Sequence, residues 1–301
     1  MGMSVRCPGR YWNKCGLSVI QVKCRGPGSI PLTGEKELGL NSMKRYLCRA
    51  AIAGVAGIFL LLSFVSCGRA GYQYNNLISE EDMTEFSELM ASAGIPDRDA
   101  EAVLEYVGIY SGGAFSKKAL VNGWQQTTKS YQKIYDYTNA INQYTQQEFE
   151  DINCRQAAFM LYHSFFQARE TESSGERQEA RELPEYLKEE AYKYDILFRR
   201  IQMEGTVEDT VLHAWQGNGA VFGGGWVHLV SLWGVEDETV FNYHAGIMFE
   251  EDEGVLFFEK TDPILPFQLS RFASVDEMKA YLLGREGISE QYAVLVDDSS
   301  V

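Results

Sequence analysis

The amino-acid sequence predicts an α+β domain, a helical N-terminal half packed on a C-terminal antiparallel sheet. Apolar residues recur at helical spacing, with capping and breaking residues between runs, as far as about residue 203. From residue 210 onward the pattern changes to short β-branched and aromatic runs bounded by glycines and acidic turns. Neither an internal repeat nor coiled-coil heptads interrupt this order, and helices followed by a meander of strands describe a single domain over 78–301.

The first predicted helix, 79–93, opens with Ser79-Glu80-Glu81-Asp82, a capping hydroxyl followed by acids that suit the positive end of a helix dipole. Pro96-Asp97 starts a second helix through Tyr110, and Gly112-Gly113 breaks it. Helical patterns continue over 117–149 and over 151–170, where Asp151 reads as the N-cap. A polar stretch, 171–182, reads as an exposed loop, and Pro184 starts a helix to Met203. Strands are expected at 220–222, 226–233, 239–249, 255–260 and 292–296, with an amphipathic helix at 275–283.

Ahead of the domain, Lys44, Arg45 and Arg49 precede an apolar run, 50–65, that ends in Ser66-Cys67-Gly68. A charged start, an apolar middle and a small-residue exit make a secretion signal. The run is shorter than the roughly 20 residues that span a bilayer. Phe64-Val65-Ser66-Cys67 resembles the bacterial lipobox, with Phe64 where leucine is usual. That resemblance implies cleavage before Cys67, a diacylglycerol on its sulfur, and a place on the extracytoplasmic face of the cell membrane. An uncleaved N-terminal anchor, the competing reading, puts the domain on the same side. Residues 1–42 are basic, Gly- and Pro-punctuated and without periodicity, so translation is expected to begin at Met43. Residues 67–77 read as a linker.

The first 67 residues hold nine Lys or Arg and two Glu, a net of +7 against −15 for the whole chain, which leaves −22 on residues 68–301. A surface so acidic repels phosphates, so nucleic acid is not an expected partner. The expected partners are the membrane, through the lipid, and a peptidoglycan peptide; the domain is expected to be a monomer. Of six cysteines, only Cys154 follows the lipobox. Exported proteins that use cysteine structurally pair it. A lone thiol is therefore either a small buried hydrophobe or a nucleophile.

Near the start of a helix, Cys154 would meet unpaired N–H groups, the helix dipole and Arg155, all of which favour a thiolate. Cys154, Ala158, Leu161 and Phe165 also share an apolar stripe, so an inert core thiol fits the same spacing. A nucleophilic cysteine needs a base. His163 lies on the far side of the same helix, whereas His213, in a loop start, and His228, in a strand, stay open as satisfied core residues or bases. His244 is the leading candidate, in a strand where Ala245 and Gly246 leave room for a substrate backbone. Glu259, at the end of the next strand across the acidic turn 250–254, is positioned to orient His244, with Asp262 as the fallback and a plain exposed strand-end charge as the alternative.

A cysteine opening a helix, then a strand reading His244-Ala245-Gly246, then a neighbouring strand ending in Glu259, resembles the papain-like cysteine hydrolases. Within them it is similar to the NlpC-type endopeptidases and the CHAP amidases of bacterial cell walls. The resemblance covers 151–260 and departs in its long Cys-to-His gap. It implies that the Cys154 thiolate attacks an amide carbonyl, that His244 protonates the leaving amine, and that Glu259 orients His244. The residues assign no side-chain donor for the oxyanion. The chain as a whole resembles an uncharacterised family of Gram-positive lipoproteins. The alternative function is a non-catalytic surface lipoprotein for binding or adhesion. No cofactor is expected: Gly217-Asn218-Gly219 and Gly223-Gly224-Gly225 lack phosphate-loop spacing, and the histidines lack metal-ligand spacing.

Overall fold

The computed structural model describes residues 71–110, 120–136, 138, 140, 152–170, 183–285, 287–288 and 291–297. The leader, the signal, Cys67, Gly112-Gly113 and the loop 171–182 lie outside them. In chain order the elements are β1 (Tyr72–Asn75), α1 (Glu80–Ser92), α2 (Asp97–Ile109), β2 (Gln125–Thr127), α3 (Tyr131–Ile134), α4 (Cys154–Tyr162) and β3 (Phe166–Gln167). They continue with α5 (Ala191–Phe198), β4 (Ile201–Gln202), α6 (Val207–Gly217), β5 (Val221–Phe222), β6 (Val227–Glu236) and β7 (Thr239–Glu251). The last are β8 (Gly254–Lys260), β9 (Phe267–Phe272), α7 (Val275–Leu283) and β10 (Ala293–Val296).

The protein is a mixed α and β fold built on one large antiparallel sheet, ordered β10-β6-β7-β8-β9-β1-β2, with β4 pairing the outer end of β7. A two-stranded β3-β5 ribbon stands apart. On one face Ala245, Ile247, Phe249, Leu256 and Phe258 join the core made with Phe86 of α1, Phe159 and Leu161 of α4 and Trp215 of α6. On the other, Val230, Met248, Val255, Phe257 and Phe272 pack under Met278 and Leu282 of α7. Covered on both sides, β6 is buried without a break from Val227 through Gly234. Each such Leu, Phe or Met contributes about 1.5–3 kcal/mol on burial.

Local sequence explains most element ends. Ser79, Thr206 and Ser274 cap α1, α6 and α7 by accepting from the N–H three residues on, and acids fill each first turn. The β6–β7 hairpin closes through Asp237 and Glu238, both at positive φ, +49° and +63°, so that the turn twist matches the strands.

Several expectations are corrected. Residues 72–75 of the expected linker are β1, held between β9 and β2, because Tyr72 and Tyr74 bury their rings there. Of the helix expected over 117–149, the described residues keep the single turn α3 and helical residues at 138 and 140, while Gln125–Thr127 is instead the strand β2, which completes the ladder beside β1. The run from Pro184 to Met203 divides into a 3-10 segment, α5 and β4. Residues 207–217 form α6, so His213 sits exposed on a helix and not in a loop. The strand β9 also emerges between β8 and β1, in a stretch that reads as having no element of its own.

Candidate active site

Cys154 is the first residue of α4. Asn153 is the cap: its side chain accepts from the Gln156 N–H at 3.0 Å, while the Gln156 side-chain oxygen accepts from the Asn153 N–H at 2.7 Å. This reciprocal capping box replaces the expected cap at Asp151, which lies outside the described residues. It moves Cys154 from the third helical position to the first, where its N–H has no intrahelical acceptor. Every other α4 side chain except Arg155 is buried, so the core fixes the helix end that carries the sulfur.

His244 comes from β7 at a point where the sheet opens. The β7–β8 ladder runs from Glu251↔Gly254 to Ile247↔Phe258 and ends there, while Glu259 and Lys260 stay paired with β9. In the gap, the Ala245 N–H is a hydrogen-bond donor to the Cys154 sulfur. Opposite, the β6–β7 register shifts at Leu232/Trp233, which face His244 and Asn242, so Tyr243 is the extra residue of a bulge. Bulges of this kind re-aim side chains, and His244 is turned toward both Cys154 and Glu259. Gly246 does not make room for a substrate backbone: a Cβ there would lie 2.5 Å from the Phe257 ring and 2.6 Å from the Phe258 carbonyl oxygen. Its role is close packing.

The three side chains are hydrogen-bonded in series. His244 Nε2 lies 2.5 Å from Glu259 Oε2, which leaves Nδ1 for the bond to Cys154. Glu259 Oε1 accepts from the Tyr281 hydroxyl at 2.6 Å, and Arg285 donates to Oε2. The Arg285 guanidinium lies over the rings of Tyr131, at 4.6 Å, and Tyr281, at 5.2 Å. Cys154, His244, Glu259 and Arg285 are buried, Cys154 at 8% exposure and His244 at 4%, and Tyr281 is half-buried.

Electrostatics follow from these contacts. Burial raises the Cys154 pKa, but His244, Arg155 and the Ala245 N–H outweigh it and bring the thiol down to about 7. Burial and the Arg285 charge push His244 down; its bonds to Cys154 and Glu259 leave it above its ordinary value. For Glu259, burial is overcome by Arg285, His244 and the Tyr281 hydroxyl, and the carboxyl falls to about 2. The set favours a thiolate beside an imidazolium, with a carboxylate behind.

The other candidates are engaged elsewhere. His163 lies between Asp99, at 2.8 Å, and Glu190, at 3.0 Å. His228 Nδ1 faces Asp297 at 2.9 Å, and its Nε2 is 3.2 Å from Glu250. Asp262 accepts from the Ile264 N–H at 3.3 Å rather than orienting His244. Among the described residues no three His, Cys, Asp or Glu side chains are grouped to hold a metal. Sequence reasoning missed Tyr281 and Arg285, because nothing local links them to a strand more than twenty residues earlier. The capping box was readable, as Asn153 and Gln156 have its spacing.

Fold and site together define an α+β protein with a buried Cys–His–Glu set spread over one helix and two adjacent strands. The chain belongs to the family described as a domain of unknown function, DUF4300, whose model matches residues 73–293, from β1 to the start of β10. No curated protein and no solved structure matches it.

Proposed function

We propose that this chain is a lipid-anchored extracytoplasmic cysteine hydrolase that cleaves amide bonds, such as those of cell-wall peptides. One observation carries the reading: Cys154, His244 and Glu259 are bonded in series, with the thiol lowered to about 7. A nucleophile, a base and an orienting acid in that order are the requirements of acyl transfer. The Cys154 thiolate adds to the carbonyl carbon, forming the S–C bond and an oxyanion. As the oxyanion collapses, the C–N bond breaks and the His244 imidazolium gives its proton to the leaving amine. Water then attacks the thioester carbonyl while His244 takes a proton from it, the C–S bond breaks, and the acid is released with the thiolate–imidazolium pair restored.

The membrane placement rests on Cys67 and the apolar run before it, and Lys44, Arg45 and Arg49 fit the same signal. A non-catalytic surface module is the second reading, favoured by the burial of Cys154. One assay separates the two. The mature protein is incubated with purified cell-wall peptides, and new amino groups are counted for wild type and for Cys154→Ser. Release by wild type alone supports hydrolysis; equal counts from both overturn it.

A further inference from the structure

A cavity of about 230 Å³ opens where β1, β9 and α7 meet. Its wall is aromatic: the rings of Tyr72, Phe272 and Tyr281 pack against one another with centroids 4.9 to 5.2 Å apart. Tyr72 and Phe272 are buried, so the core holds this wall in place before any ligand arrives. Asp276 and Glu277, in the first turn of α7, line the cavity together with Lys129, two carboxylates against one ammonium. The positive end of a helix would favour an anion, but the Ser274 cap and these two acids already answer it. The volume exceeds the void of about 150 Å³ that takes a benzene and falls short of the roughly 300 Å³ at which drug-sized pockets begin. It suits one head group.

Ring faces are negative and attract cations, most strongly where water is partly excluded. The rim carboxylates add to that attraction, and the net charge of −22 on residues 68–301 raises the local concentration of cations. A primary ammonium is strongly hydrated and brings three N–H donors that need acceptors, whereas an alkylated ammonium brings none and suits a wall of rings. We propose that this cavity binds an alkylated ammonium group, held against Tyr72, Phe272 and Tyr281 with Asp276 and Glu277 as its counter-charge. One ring of the wall already attracts a cation: the Arg285 guanidinium lies 5.2 Å from the Tyr281 ring, its charge met by Glu259. The site does not depend on what Cys154 does. It adjoins the catalytic set through Tyr281, whose ring is in the cavity wall and whose hydroxyl donates to Glu259 Oε1 at 2.6 Å.

Charge and shape separate by choice of probe. Choline and 3,3-dimethylbutan-1-ol share a shape and a hydroxyl and differ only in the charge of the head group. Each is titrated with the mature protein at constant ionic strength, and broadening of its methyl proton line gives a Kd. The expected result is choline bound about 10-fold more tightly than the neutral alcohol. Two variants place the site. Asp276→Asn with Glu277→Gln removes the rim charge and keeps an acceptor for the Ala273 N–H, which Glu277 Oε2 now takes at 3.1 Å; Phe272→Leu removes a ring and keeps an apolar wall. Each is expected to lower choline affinity about fivefold, with little change for the alcohol. Thermal midpoints report folding, and the rim pair, which lies toward solvent, decides alone where Phe272→Leu does not fold. Equal affinity for the two probes overturns the proposal and leaves an apolar cavity. An absence of saturable choline binding overturns it too, as does choline binding that the rim substitutions leave unchanged.

Discussion

His244 and Arg285 meet on a single oxygen of Glu259: His244 Nε2 lies 2.5 Å from Oε2, and the Arg285 guanidinium donates to the same atom. The Glu259 carboxylate therefore serves two cations, and its other oxygen is taken by Tyr281. Arg285 lowers the Glu259 pKa and also opposes protonation of His244. It acts on His244 through the shared carboxylate, and it balances how strongly Glu259 draws a charged imidazole.

Removing one partner of a buried ion pair leaves an uncompensated charge. Arg285→Met is expected to lower stability by about 3–5 kcal/mol, whereas Glu259→Gln together with Arg285→Met recovers much of that loss. Urea unfolding of the two single variants and the double variant checks it. Additive losses would mean that the pair is not coupled.

Thiolate reactivity should follow the His244 contact. The alkylation rate of Cys154 is expected to rise with pH about a midpoint near 7. In His244→Ala the midpoint moves toward that of an ordinary thiol near 8.5–9, and the rate at pH 7 drops about 15- to 50-fold through loss of thiolate. Stopped-flow alkylation measures both; unchanged midpoints would separate His244 from the sulfur in solution.

Acid should unfold the protein partly through Glu259. Its carboxyl is depressed from 4.5 to about 2, so the stability it contributes is fully present above pH 4.5 and is lost as pH falls through 2. Urea midpoints taken from pH 6 to pH 2 should fall across that window. The Glu259→Gln/Arg285→Met variant should fall less steeply, and parallel curves would refute the assignment.

Gly246→Ala should destabilise by about 1–3 kcal/mol through overpacking against Phe257, read as a lower thermal midpoint. Glu238→Gly should act oppositely, raising stability by roughly 0.5–1 kcal/mol, because it relieves a left-handed residue in the β6–β7 turn.

What the sequence made legible follows physical range. Helix α7 is readable to its boundaries because Ser274, the acids after it and the apolar spacing all act within a few residues. Strands β6, β7 and β8 are readable because burial on both faces makes them long apolar runs. Strand β1 is not: four residues are too few to show a period, and their partners are Leu269 to Arg271, nearly two hundred positions away. Cys154, His244 and Glu259 stood out as residue types that need an explanation. Tyr281 and Arg285 did not, since a tyrosine and an arginine near a helix end are ordinary until the fold sets them against a buried carboxylate.

If Cys67 carries the proposed lipid, the early start of β1 limits how far the domain can stand from a membrane. With a diacylglycerol on Cys67, four residues, 68–71, separate the lipid from the start of β1 at Tyr72. Fully extended, that tether spans about 17 Å, against more than twice as much for a free linker to residue 77. A domain on so short a leash sweeps a thin shell above the bilayer, so its substrates would be those that reach down to the lipid surface.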